Sequence, residues 1–130
     1  MSVESLKVLI CDDSAFARLK MSRVLQKCGV SEILEAADGE QAVEMYKEHE
    51  PDLVLMDIVM PRLSGVEALK GILAENSKAR VVMASSVGTQ ENLKEAIDVG
   101  AFDFLQKPIS DSQLEMLIKK VGKLCSSDND

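Results

Sequence analysis

The stretch V-L-I-C-D-D-S-A-F at 8–16 sets four apolar residues against two adjacent aspartates, Asp12 and Asp13. Two neighbouring carboxylates resist double ionisation unless a cation or a hydrogen-bond network compensates. Asp is also a good capping residue, so one of the pair can simply cap the helix that follows. Other polar residues close other apolar runs in the same way. Asp57 ends D-L-V-L-M-D, Ser85-Ser86 ends V-V-M-A-S-S, and Lys107-Pro108 follows F-D-F-L-Q. Brought to one rim, three carboxylates form a hard-oxygen cage suited to Mg²⁺, which accepts few protein ligands and keeps waters in its other positions. Lys107 and Ser85 complement a phosphoryl group beside such an ion. A strand-end Asp is also a competent nucleophile for making an acyl phosphate.

The elements that must position these residues are legible in the patterning. Lys7–Cys11, Asp52–Met56 and Arg80–Ala84 are apolar on consecutive positions, as strands covered on both faces are, which means a parallel sheet between helices. Glu32–Ala36 and Phe102–Gln106 alternate more, as edge strands do. Helical faces lie between them: Ala17, Met21, Val24, Leu25 and Cys28; then Ala42, Met45 and Tyr46 after Asp38-Gly39. Ser64 with Glu67 and Ser110 with Gln113 read as capping boxes for two later helices, and Thr89–Val99 as the one between. Five strand–helix units with right-handed crossovers predict a doubly wound α/β fold, which binds ligands beyond the carboxyl ends of its strands.

Composition narrows the function. The 130 residues suit one domain, and 46% hydrophobic with 28% charged residues describes a globular chain. A net charge of −7 and no Lys/Arg cluster argue against a nucleic-acid surface. No signal peptide or membrane-length apolar run is visible. Cys11, Cys28 and Cys125 are scattered and there is one histidine, His49, late in a helix, so zinc and a Ser-His-Asp site are disfavoured. A cytoplasmic setting with reduced thiols is expected. Neither G-x-G-x-x-G nor a Walker A lysine follows the first strand, which disfavours a nucleotide fold.

With these motifs the chain resembles the response-regulator receiver domains of bacterial two-component signalling, the CheY-like superfamily, over about residues 5–124. The matching stretches are C-D-D-S at 11–14, L-M-D-I-V-M-P-R-L-S-G at 55–65, M-A-S-S at 83–86 and G-A-F-D-F-L-Q-K-P at 100–108. The resemblance implies a flavodoxin-like (βα)5 fold with five parallel strands in the order 2-1-3-4-5. It implies Asp57 as phosphoacceptor, Mg²⁺ held by Asp12, Asp13, Asp57 and the Val59 backbone carbonyl, and Lys107 paired with the phosphoryl group. Ser85 resembles the hydroxyl switch residue and Phe104 the aromatic one, often Tyr in the family; Phe lacks the hydroxyl but can still change rotamer. Ser86 is small enough to leave Asp57 accessible, and a cis Lys107–Pro108 bond is implied. Val59 and Val87 would flank the path of a water attacking the phosphoaspartate.

The expected protein is thus a signalling switch that catalyses only its own phosphotransfer and dephosphorylation. It would be phosphorylated by a histidine kinase and read by an output partner on the face of the fourth helix, fifth strand and fifth helix. No direct nucleic-acid or membrane partner is expected, and the chain would be a monomer or a weak phosphorylation-dependent dimer. The expected organisation is a single receiver domain over 1–130, with a short disordered tail at 125–130. Chemotaxis-type members look most similar. The alternatives are a receiver cut from a longer regulator or an Asp-nucleophile phosphatase, whose D-x-D pattern fails at Val59. An FMN-binding module is a third, but it lacks its Ser/Thr-rich loop.

Overall fold

The computed structural model describes residues 5–86 and 88–128, with side chains as far as Leu124. Among them, five strands, β1 (Lys7–Cys11), β2 (Glu32–Ala36), β3 (Leu53–Asp57), β4 (Val81–Ser85) and β5 (Asp103–Gln106), alternate with five helices. These are α1 (Ala15–Lys27), α2 (Gly39–His49), α3 (Gly65–Glu75), α4 (Gln90–Val99) and α5 (Asp111–Asp128). All pairings are parallel in the order β2-β1-β3-β4-β5, the expected doubly wound fold. No described helix is long and apolar enough to cross a membrane.

Side chains alternate faces along each strand, so one sheet feeds two cores. Val8, Ile10, Leu53, Leu55 and Val82 pack with Met21, Val24 and Leu25 of α1 and Leu114, Leu117 and Ile118 of α5. Leu9, Cys11, Val54, Met56, Val81 and Met83 pack on the other face with Ala42 and Tyr46 of α2, Leu69 and Ile72 of α3 and Ala96 of α4. Apart from Lys7, which opens β1, consecutive positions of β1, β3 and β4 are therefore buried, which is why these runs read as continuous apolar stretches. The edge strands β2 and β5 are only partly covered.

Helix starts follow the capping residues. The hydroxyls or carboxylates of Ser14, Asp38, Ser64 and Ser110 accept the backbone N–H of Ala17, Gln41, Glu67 and Gln113. The Gln113 side chain also accepts the Ser110 N–H, completing that capping box, whereas Glu67 turns instead to Lys70.

Strands β3, β4 and β5 each begin one residue later than the sequence pattern suggests, and β3 and β4 take in Asp57 and Ser85 themselves. Asp52, just before β3, meets the start of β1 twice: its N–H donates to the Lys7 carbonyl and its carboxylate accepts the Lys7 N–H, each at 2.8 Å. The tail expected to be disordered is helical as far as Asp128, since K-L-C-S-S-D contains neither Gly nor Pro to stop α5. Residues 129–130, and Val87 with its expected place on the water path, lie outside the described residues.

Candidate functional site

The alternation that divides the core also sorts the rim. Asp12 continues the register of Val8 and Ile10, and Asp57 that of Leu53 and Leu55. Lys107 continues the register of Leu105, so all three belong to the face covered by α1 and α5. Ser85 follows Val81 and Met83 and belongs to the opposite face, toward α2–α4. The strand ends are tied together by the Ile58 N–H on the Ala84 carbonyl at 3.3 Å and the Lys107 N–H on the Ser85 carbonyl at 2.7 Å. The Lys107–Pro108 bond is cis, as the family resemblance implied.

At the centre the Lys107 Nζ stands 3.0 Å from Asp12 Oδ2 and 3.2 Å from Asp57 Oδ2. Asp12 is 1% exposed and Asp57 8%, while Asp13 lies at the surface. One carboxylate oxygen from each of the three aspartates lies within 4.8 Å of the other two. Burial pushes the Asp57 carboxyl above the usual range and the neighbouring Asp12 adds to the push, against the opposing pull of Lys107 and the Val59 N–H. Burial also pulls the Lys107 ammonium down, but Asp12 and Asp57 together outweigh it and hold Lys107 above its ordinary value. Both shifts point upward because the lysine has two partners and Asp57 has one cation against its desolvation.

Three carboxylates beside one ammonium leave an excess of negative charge when all are ionised, and every potential ligand is a hard oxygen. That donor set fits Mg²⁺. Burial, with Asp12 adding, pushes the Cys11 thiol far up, so it stays protonated and inert.

Local structure holds each carboxylate in place. Asp12 Oδ1 accepts the Ser14 N–H at 2.9 Å, and Ser14 takes the helix-capping role that the sequence left open for the aspartate pair. Gly65 packs so closely behind Asp57 that a Cβ there would collide with the Asp57 carbonyl oxygen. An open cleft of about 570 Å³ lies beside Asp12 and Lys107, lined also by Phe16, Lys20, Ser86 and Pro108.

Ser85 is buried, and its hydroxyl pairs with Thr89 Oγ1 at 3.1 Å rather than with the carboxylate cluster. Phe104 on β5 is 44% exposed. Val59 is exposed too, with its N–H turned to Asp57. His49 is remote from the cluster; its carbonyl accepts from Lys7, where β1 begins.

Two residues of the site neighbourhood escaped sequence reasoning. Arg18 donates to the Asp12 carbonyl at 2.6 Å and to Glu35 at 2.9 Å, bracing the end of β1 against β2. No local pattern announces that contact. Thr89 was legible as a helix start, but not its contacts with Ser85 and Ser86.

Comparison with known proteins identifies the family. A family model for the response regulator receiver domain matches residues 8–119. The chemotaxis protein CheY of Bacillus subtilis is 46% identical over 117 residues, covering 89% of this chain and 98% of that protein. CheY of Thermotoga maritima is 41% identical over 117 residues, covering 90% and 98%. Among solved structures, the N-terminal domain of an uncharacterized protein from Wolinella succinogenes superposes with a TM-score of 0.89 at 31% identity, covering 95% of this chain and 99% of that one.

Proposed function

The chain belongs to the response-regulator receiver domain family and is a phosphorylation-activated switch of two-component signalling, and from that premise we propose that Asp57 is the residue that takes the phosphoryl group. An Asp57 carboxylate oxygen attacks the phosphorus of a phosphohistidine on the kinase. A P–O bond forms to the carboxylate and the P–N bond breaks, its electron pair staying on the ring nitrogen; the proton on the other ring nitrogen lets the imidazole leave neutral. Lys107, already 3.2 Å from Asp57, turns its ammonium to the new phosphoryl oxygens. Asp12, Asp13, Asp57 and the Val59 carbonyl would hold Mg²⁺, which supplies positive charge against the phosphoryl oxygens when bound. The open cleft lined by Asp12, Ser86 and Lys107 offers the donor an approach to this cluster.

The chain turns over no separate substrate; it speeds only its own phosphotransfer and dephosphorylation. Its relatives named CheY are chemotaxis proteins, and motility signalling is the pathway proposed for this chain. The output partner reads the face of α4, β5 and α5, where Ile97, Phe104 and Met116 are exposed.

The observation that carries this reading is the meeting of Asp12 and Asp57 on one lysine at the strand ends. Incubation with acetyl phosphate and Mg²⁺ should raise the intact mass by one phosphoryl group, and Asp57→Asn should abolish the gain. Uptake by the variant at the wild-type rate would overturn the assignment of Asp57.

A further inference from the structure

Resting on that reading, we propose that Thr89 is a positioning residue that holds Ser85 in the resting state and sets how readily its hydroxyl turns to the phosphoryl group. The hydrogen-bond inventory around Thr89 carries the inference. Its hydroxyl has one proton, and that proton is committed to the Ser86 carbonyl at 2.7 Å. Thr89 Oγ1 therefore accepts, from the Ser86 N–H at 3.0 Å and from the Ser85 hydroxyl at 3.1 Å. Ser85 is thus the donor in the pair, and its single proton points away from the carboxylate cluster. It cannot be given to a phosphoryl oxygen and to Thr89 at once.

Position explains why this competition matters. Ser85 is 4% exposed and Thr89 7%, so no bulk water stands ready to replace either partner. Immediately before Thr89, Gly88 stands at φ +92°, a backbone conformation that side-chain-bearing residues rarely adopt. Thr89 also stands at the N-cap of α4, where its carbonyl accepts the Leu93 N–H at 2.9 Å. When Ser85 leaves Thr89, the first turn of α4 loses a tether. The same hydroxyl contact therefore sets the threshold for switching and connects it to the helix of the output face.

The test is a binding measurement with beryllofluoride and Mg²⁺, followed by fluorine NMR on the full chain. Thr89→Val keeps the shape and removes the acceptor, so beryllofluoride should bind about fivefold more tightly, the effect of one neutral hydrogen bond no longer competed for. Thr89→Ser restores the hydroxyl and should bind as the wild type does. In a Ser85→Ala background, Thr89→Val should change nothing, because the donor is gone. On the unmutated chain, the Ser86 amide resonance should move on adding beryllofluoride. A Thr89→Val affinity that is unchanged or weaker, an equal gain without Ser85, or a stationary Ser86 amide would each overturn the proposal. Wild-type chain that binds no beryllofluoride, or binds it equally as Asp57→Asn, would overturn the phosphoacceptor assignment itself, and the role of Thr89 with it.

Discussion

The ammonium of Lys107 stands 3.2 Å from the carboxylate of Asp57, fifty residues earlier in the chain, and the same nitrogen reaches Asp12 at 3.0 Å. Two carboxylates under 10% exposed thus share one protein cation. Removing one member of a buried ion cluster leaves the others uncompensated, which typically costs several kcal/mol. The Lys107 side chain keeps 28% of its exposure, so water moderates the loss. Lys107→Ala should destabilise the metal-free chain by about 1–3 kcal/mol. Added Mg²⁺ should restore more stability to the variant than it adds to the wild type, because it replaces the missing positive charge. Urea unfolding followed by circular dichroism, with and without Mg²⁺, measures both; equal Mg²⁺ effects on the two chains would refute the account.

The upward shift of Asp57 predicts a pH signature. Its carboxyl loses its proton at higher pH in the folded chain than in the unfolded one, where about 3.9 is ordinary. Stability from this group is therefore complete below about pH 3.9 and is lost as pH rises through the folded value. Asp57→Asn does not ionise, so in chelator the variant should be more stable than wild type at pH 7, by about 1 kcal/mol. The advantage should shrink as pH falls toward 4, and Mg²⁺ at pH 7 should narrow it. A difference between the two chains that does not vary with pH would mean that burial of the Asp57 charge costs nothing.

Much of this was readable from residue order alone. The three interior strands declared themselves because both faces are covered, and Asp12, Asp57, Ser85 and Lys107 stood out because each breaks an apolar run at its carboxyl end. Strand parity was the part that misled. Ser85 falls at a strand end like Asp57, yet the β3–β4 register sets Asp57 opposite Ala84, so Ser85 lies one position further on and on the other face of the sheet. The hydroxyl therefore meets Thr89, a contact between side chains four residues apart that no sequence pattern announces. Arg18 was invisible for a related reason: its contact is with a backbone carbonyl, and every residue has one.

The surface next to Asp57 predicts a slow loss of the phosphoryl group. Val59 is 60% exposed, two residues beyond the proposed phosphoacceptor Asp57, and an aliphatic side chain cannot orient an attacking water by hydrogen bonding. Val59→Asn should speed hydrolysis of the phosphoaspartate several-fold, while Val59→Leu should leave it near the wild-type rate. The decay is followed by intact mass after the phosphodonor is removed. Equal rates for all three chains would eliminate position 59 from the water path.

Exposure of Phe104 predicts what the output face does on activation. Phe104 is 44% exposed on β5, with Ile97 of α4 and Met116 of α5 also open to solvent. Phe104 lies opposite Met83 in the β4–β5 register, two positions before Ser85. A Ser85 that turned toward the phosphoryl group, as proposed above, would vacate volume at the end of β4. Rotation of Phe104 inward would fill that space and remove an aromatic ring from the surface. Both residues then bias one two-state element, which is what coupling between the site and the face requires. Amide resonances over 88–105 should therefore shift when beryllofluoride and Mg²⁺ are added. In Phe104→Ala those distant shifts should fall well below the wild-type values, while shifts around Asp57 persist and phosphorylation by acetyl phosphate continues. Perturbations confined to the loops around Asp57 in the wild-type chain would show that Phe104 takes no part in the switch.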